Sequence, residues 1–242
     1  MCGRYAVRRD PAALAAEFDA VDRSERLLAP DYNVTPTKTV PIVVERATGT
    51  GVERSVRPVR WGLVPTWAKD ATSGPPMINA RAETITQKPA YADSAARRRC
   101  LMPATGWYEW KPGDRRRQPY LCAHRDGVSL AMAAVFSAWW APDSTSAPLV
   151  TCAVVTTDAV GELAGVHHRM PLVLPRDAWG DWLDPARTDV RELLEPDPGM
   201  LGELTLSTVS SDVNNMRNNR PDLLEPAEPL PEPAEQGALF DS

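Results

Sequence analysis

Histidine occurs three times in the 242 residues and cysteine four times. No Cys-x-x-Cys pair is present, and the histidines add no zinc-binding spacing to the cysteines, so no metal site is expected. No run of about 18 apolar residues exists, which excludes a transmembrane helix. The first residues hold no basic stretch leading into an apolar one, so no secretory signal is expected. Cysteines without a pairing pattern fit a reduced, cytoplasmic setting, in which Cys100, Cys122 and Cys152 serve as small apolar core residues. Lysine and arginine are missing from Pro221 to Ser242, a stretch that holds six Asp and Glu residues. Without those six, residues 1–220 carry 27 basic and 26 acidic side chains, a net of +1, so the overall charge of −5 belongs to the tail. A near-neutral body leaves nucleic-acid binding open, since a local basic groove suffices.

The chain is long enough to bury a sizeable core, and its 43% hydrophobic content is ordinary for a globular domain. "AALAAEF" after Asp10-Pro11 reads as a capped helix with proline in its first turn. "TVPIVVER" and "GVERSVRPVRWGL" read as strands around the turn "ATGTG". "KPAYADSAARRR" reads as a second helix, "GWYEW" and "QPYLCAH" as a hairpin, and "PRDAWGDWLD" as a short helix. "GVSLAMAAVFSAWW" and "LVTCAVVTT" suit buried strands, although the first also suits a helix. Strands interrupted by a few helices, without regular βαβ alternation, favour an α+β fold with a largely antiparallel sheet. Residues 1–226 are expected to form one domain. Residues 227–242, rich in Pro and Glu, are expected to be a disordered acidic tail.

The chain opens "MCGRY". Removal of Met1 would leave Cys2 with a free α-amine and a thiol on adjacent carbons. The amine titrates near 7.7–8.0 in model compounds, so much of it is nucleophilic at neutral pH, and the thiol is intrinsically nucleophilic. Together they can capture an aldehyde: the amine forms an imine and the sulfur closes a five-membered thiazolidine. A small residue in a first strand would serve equally well at position 2 on this signal alone.

Four further stretches can carry chemistry. "RWGLVPTW" places Trp61 and Trp67 around a Gly-Pro loop, where aromatics can stack nucleobases or simply pack. In "MINARAET" an extended backbone puts Asn79 and Arg81 on one face, suited to a sugar oxygen and a phosphate, or to a solvated strand edge. In "GWYEW" Glu109 stands among aromatics, where desolvation would disfavour its ionised form and suit it to acid–base work near neutrality. In "VHHRMP" a strand would put His167 and Arg169 on one face, with His168 pointing away.

Taken in order, "MCGRY", "YNVTPT", "RWGLVPTW", "INARAET", "GWYEW", "HHRMP" and "VNNMRN" resemble the SOS-response-associated peptidase family, whose members process abasic sites in DNA. The resemblance spans roughly residues 1–226. It implies a β-rich, barrel-like α+β fold with peripheral helices and a positively charged groove. It also implies a substrate: the ring-opened aldehyde of an abasic deoxyribose in single-stranded DNA, captured covalently by Cys2. By resemblance Asn79 positions the Cys2 amine and the sugar, Glu109 assists ring opening and proton transfer, and His167 handles sugar-hydroxyl protons. Arg4, Arg81 and Arg169 match phosphate-binding positions, and Trp61 and Trp67 the aromatic loop beside the flanking strand. Thr35 and Trp107 depart from the family's usual Ala and Phe, which bears on flanking-base preference. No cofactor is implied, and a monomer associated with the nucleoid is expected.

Near the chain's end, Gln236, Leu239 and Phe240 have the form of a bacterial sliding-clamp-binding peptide, which makes the clamp a candidate partner; a coincidental five-residue match is the other reading. Two other functions stay open from sequence: an N-terminal-nucleophile cysteine peptidase that uses Cys2 and Glu109, and a non-covalent single-stranded DNA-binding module for which Cys2 is dispensable.

Overall fold

The computed structural model describes residues 2–231, apart from 26, 50, 73, 113, 116, 143 and 144. Its strands are β1 (Tyr5–Val7), β2 (Val21–Asp22), β3 (Asp31–Val34), β4 (Thr39–Thr48), β5 (Gly51–Trp61), β6 (Asn79–Arg81), β7 (Arg99–Ala104), β8 (Gly106–Trp110), β9 (Pro119–His124), β10 (Leu130–Trp139), β11 (Leu149–Asp158), β12 (Arg169–Pro171) and β13 (Leu204–Thr208). Its α-helices are short: α1 (Pro11–Glu17), α2 (Ala92–Arg97), α3 (Gly161–Ala164), α4 (Trp179–Leu183) and α5 (Pro198–Gly202). In α1 the Asp10 side chain accepts from the Ala13 amide at 2.8 Å, and proline occupies the first turn, as the local sequence dictates.

Two sheets carry the fold. In one, β5, β4, β7, β10 and β11 neighbour one another in that order, and β11 pairs back onto β5 in parallel, with Thr151 opposite Arg60 and Cys152 opposite Trp61. The ring closes, which removes two strand edges and makes this half a small barrel. β6 lies parallel to β11, and β12 antiparallel to its far end. The other sheet is antiparallel throughout, in the order β13-β9-β8-β1-β3. The main core is aromatic: Tyr5 and Trp61 meet edge to face at 5.4 Å, and Trp107 and Trp182 are fully buried, while Tyr108 is buried in a smaller second cluster. Such an edge contact adds about 0.5–1.5 kcal/mol beyond the area it buries. Cys100, Cys122 and Cys152 are free and buried in the core.

The second helix is shorter than "KPAYADSAARRR" suggests, and a buried cation explains where it stops. Arg99 is 3% exposed and donates to five carbonyls, those of Trp182, Ala95, Ala96, Asp184 and Arg187. It gathers the C-terminal ends of α2 and α4, where orphan carbonyls and helix dipoles favour a positive charge. Arg99→Met is expected to cost about 3 kcal/mol or more, because all five acceptors lose their donor. The check is a lower urea midpoint at unchanged slope.

The first residues of the acidic segment can be followed on the sheet. Ala227 donates to the Thr208 carbonyl at 2.9 Å, and the Leu230 amide donates to Gln118 Oε1 at 2.6 Å, so the start of the acidic segment is tied to the sheet. Gln236, Leu239 and Phe240 lie outside the described residues.

Candidate active site

β1 pairs with β8, Tyr5 opposite Trp107 and Ala6 opposite Gly106, and the Tyr108 amide donates to the Arg4 carbonyl at 2.9 Å. That ladder brings the residues before β1 alongside the end of β8 that carries Glu109. A close approach on the other side fixes β8 in depth. A Cβ at Gly106 would meet the Cys122 carbonyl oxygen at 2.5 Å, so β8 and β9 could not keep this spacing with a larger residue.

Cys2 is fully buried. Burial, and then the neighbouring Glu109 charge, push its thiol far above the usual range, so the sulfur is held as a neutral thiol. Asn79, the first residue of β6, donates from Nδ2 to the Cys2 carbonyl at 2.9 Å. Its Oδ1 is buried and accepts no hydrogen bond from any of the described residues, an open acceptor next to the Cys2 backbone. Tyr91 holds the Asn79 backbone by donating to its carbonyl at 2.9 Å.

Glu109 is 7% exposed. Desolvation raises its carboxyl to about 7, against a pull from the positive amino terminus. His167 sits in the turn between α3 and β12. Its Nδ1 lies 3.0 Å from the Arg169 amide and 3.2 Å from the Arg169 carbonyl oxygen, so the Arg169 backbone fixes the ring's orientation. Burial lowers its pKa, so the ring stays neutral near pH 7. Glu109 and His167 line one narrow cleft with Trp107, Tyr120 and Met170. One neutral thiol, one carboxyl that titrates near pH 7, one neutral imidazole and one open amide oxygen thus share a small region. Such a set can move protons to and from a reacting carbonyl.

Four other expectations change. Trp61 is wholly enclosed and its indole donates to the Ile78 carbonyl at 3.0 Å, so it packs the core and offers no face to a base. Trp67, six residues on, is 66% exposed in the loop that follows β5 and shares a hollow with Arg60 and Lys69. Arg4 donates to Asn33 Oδ1 at 2.7 Å and to the Val213 carbonyl at 2.9 Å, and lies over the Trp110 ring. Arg169 is 6% exposed and is held by Glu83 Oε1 at 2.7 Å, Asp158 Oδ1 at 2.6 Å and the Thr156 carbonyl at 2.6 Å. Both guanidinium groups are engaged by the protein itself, whereas Arg81 at the end of β6 is exposed. His168 does not point away from His167: both precede β12, and their rings stack at 4.4 Å.

Asn33 in "YNVTPT" is buried and donates to the carbonyls of Val213, Asn215 and Asn218, which ties that stretch to "VNNMRN". Nothing in the local pattern separates such a buried polar hub from a surface asparagine. Glu83 and Asp158, which fix Arg169 and through it the amide that orients His167, are likewise silent in sequence.

A family model described as SOS response associated peptidase matches residues 1–216. The abasic site processing protein YoqW of Bacillus subtilis is 33% identical over 231 residues, covering 93% of this chain and 99% of that protein. The abasic site processing protein HMCES of Pongo abelii is 29% identical, covering 94% of this chain and 77% of that protein. A crystal structure of a protein from Bacteroides thetaiotaomicron, 24% identical, superposes with a TM-score of 0.81 over 94% of this chain and all of that one, and shares its fold.

Proposed function

The chain belongs to the SOS response associated peptidase family, and from that premise we propose that it processes abasic sites in single-stranded DNA by covalent capture through Cys2. The observation that carries the reading is the bond from Asn79 to the Cys2 carbonyl at 2.9 Å beside a Glu109 whose charge acts on the buried Cys2 thiol. A desolvated thiol does not ionise unaided, so closure of a ring through sulfur needs an adjacent base.

The proposed chemistry balances as follows. Hydrolytic loss of Met1 frees the Cys2 amine. Glu109, in its protonated form, gives its proton to the ring oxygen while the C1′ hydroxyl loses its own to water, which opens the deoxyribose ring, exposes the C1′ aldehyde and leaves Glu109 as the carboxylate. The amine adds to C1′, and the carbinolamine loses one water to give an imine. Sγ then adds to the imine carbon while Glu109 takes the thiol proton, and the proton ends on nitrogen. The product is a thiazolidine with one C–N and one C–S bond to C1′, and one water is released in all. Asn79 Oδ1 is suited to hold the amine or a sugar hydroxyl, and His167 Nε2 to serve the sugar hydroxyl opened from the ring. Trp67 and Arg81 are assigned to the flanking strand.

A covalent site at the start of the chain must admit a lesion from the surface. In a duplex the opposing strand obstructs that approach, and extruding the sugar costs a few kcal/mol more. Adduct yield on a denaturing gel is therefore expected to be at least ~10-fold higher for an abasic single strand than for the same lesion in a duplex, given about 1.4 kcal/mol per tenfold. Equal yields contradict the single-strand preference.

A further inference from the structure

We propose that Tyr91 and Trp61 are positioning residues for the Cys2 site: together they fix the backbone of Asn79 and so hold its side-chain amide against the Cys2 carbonyl. The assignment rests on the covalent-capture reading above. It gives a role to Trp61, which offers no face to a base, and to Tyr91, which no motif marks.

Asn79 begins β6, a strand of three residues that pairs with β11 alone among the described residues. One ladder of that length leaves the outer edge of the strand without backbone partners. The direction of the Asn79 side chain follows from two peptide planes, Ile78–Asn79 on one side of its Cα and Asn79–Ala80 on the other. Each plane carries a carbonyl, and a buried side chain donates to each. The Ile78 carbonyl accepts from the Val154 amide and from the Trp61 indole, both at 3.0 Å. Successive carbonyls of a strand point to opposite edges, so the Asn79 carbonyl faces away from β11. There the Tyr91 hydroxyl donates to it at 2.9 Å.

Both donors are themselves fixed. Trp61 is fully enclosed and meets Tyr5 edge to face. Tyr91 is 7% exposed, and its backbone is held at the start of α2: its amide donates to the Lys88 carbonyl at 2.9 Å, and its carbonyl accepts from the Ala95 amide at 2.7 Å. Burial pushes the Tyr91 hydroxyl up to about 12, so it keeps its proton at neutral pH and serves as a donor without moving a proton itself. With both planes held, Asn79 Nδ2 reaches the Cys2 carbonyl at 2.9 Å. A misplacement of about 1 Å at such a site costs on the order of 10²-fold in rate.

Phenylalanine at position 91 fills the same space without the donor, so Tyr91→Phe isolates the hydrogen bond. The unaltered chain, Tyr91→Phe, Asn79→Ala, the double variant and Trp61→Phe are compared by two measurements. The first is hydrogen exchange of the Asn79 side-chain amide by NMR, its resonances identified as the pair that Asn79→Ala removes. Tyr91→Phe is expected to speed that exchange at least ~5-fold while the backbone amides of β4 and β5 keep their protection. The second is the maximal rate and the half-saturating concentration of adduct formation with an abasic single strand. Tyr91→Phe is expected to lower the maximal rate ~10-fold and to leave the half-saturating concentration within about 2-fold. In the Asn79→Ala background the same change is expected to alter the rate less than ~2-fold, since Tyr91 acts through Asn79. Trp61→Phe is expected to show the same split with a smaller loss, ~3-fold, because Val154 still holds the Ile78 carbonyl.

Unchanged amide exchange in Tyr91→Phe overturns the proposal. So does a loss carried by the half-saturating concentration, or an equal loss with and without Asn79, since either marks a general loosening of the fold. Faster exchange in Tyr91→Phe with no adduct from the unaltered chain would overturn the Cys2 chemistry and leave the hold on Asn79 standing.

Discussion

Cys2→Ala is expected to reduce the denaturation-resistant adduct with an abasic single strand to background, a loss on the order of 10³-fold or more, while non-covalent affinity falls less than ~3-fold. The substitution removes the sulfur that closes the ring but leaves the exposed contacts at Trp67 and Arg81 in place. It should also leave the fold intact, because alanine fits a fully enclosed small-residue site and forfeits only a sulfur's packing. With alanine first, the amine can still form an imine. Reductive trapping of such an imine in the variant would separate the two bonds of the proposed ring. Three outcomes distinguish the competing functions. Loss of the adduct with affinity retained fits covalent capture. Undiminished adduct means that another nucleophile, such as a lysine, does the work. Undiminished biological protection without any adduct means a non-covalent binding module.

Glu109→Gln has the second large effect, and it acts on rate and stability in opposite senses. As the proton carrier for ring opening and thiol addition, Glu109 is expected to contribute 10²–10⁴-fold to the rate of adduct formation, and the variant should lose about that factor. Stability moves the other way. Burial raises the carboxyl from its ordinary 4.5 to about 7, so the folded chain holds this proton more tightly than the unfolded one. The stability linked to it is complete below pH 4.5, declines as pH rises, and is gone above about 7. At pH 8 the buried carboxylate therefore weighs on the fold by up to ~3 kcal/mol, which glutamine removes. The variant's melting temperature should exceed that of the unaltered protein by as much as ~10 °C at pH 8, and the gap should close toward pH 4.5. Parallel stability–pH curves would mean that Glu109 is not the desolvated acid described here. A variant that is both more stable and far slower is the pattern of a residue strained for function.

Much of the fold could be read from local pattern. β4 and β5 flank a Gly-rich turn, β8 and β9 flank "KPGD", and the Pro-capped α1 begins where its signals place it. Such signals act within a few residues. Ring closure does not: the pairing of β11 with β5 joins Cys152 to Trp61, 91 positions apart, and no local signal specifies it. The same limit separates Trp61 from Trp67. They belong to one motif and one composition, yet one is sealed beneath Tyr5 and the other faces solvent, because the barrel's closure buries the first. Among the arginines, sequence marks charge but not its counterions. Glu83 and Asp158 claim Arg169 from 86 and 11 positions away, while Arg81 is left exposed. Cys2, Asn79, Glu109 and His167 were legible as chemistry from residue type and setting. Their meeting was not, since it depends on β1 pairing with β8 and on β6 lying against β11.

The central claim is that the nucleophile is the aminothiol of Cys2 after Met1 has gone. Intact mass spectrometry of the protein mixed with an abasic single-stranded oligonucleotide tests it most directly. The account predicts one adduct whose mass equals the chain without Met1, plus the oligonucleotide, less one water. An adduct whose protein part still carries Met1 would contradict it, because the Cys2 nitrogen would then be an amide and no thiazolidine could form.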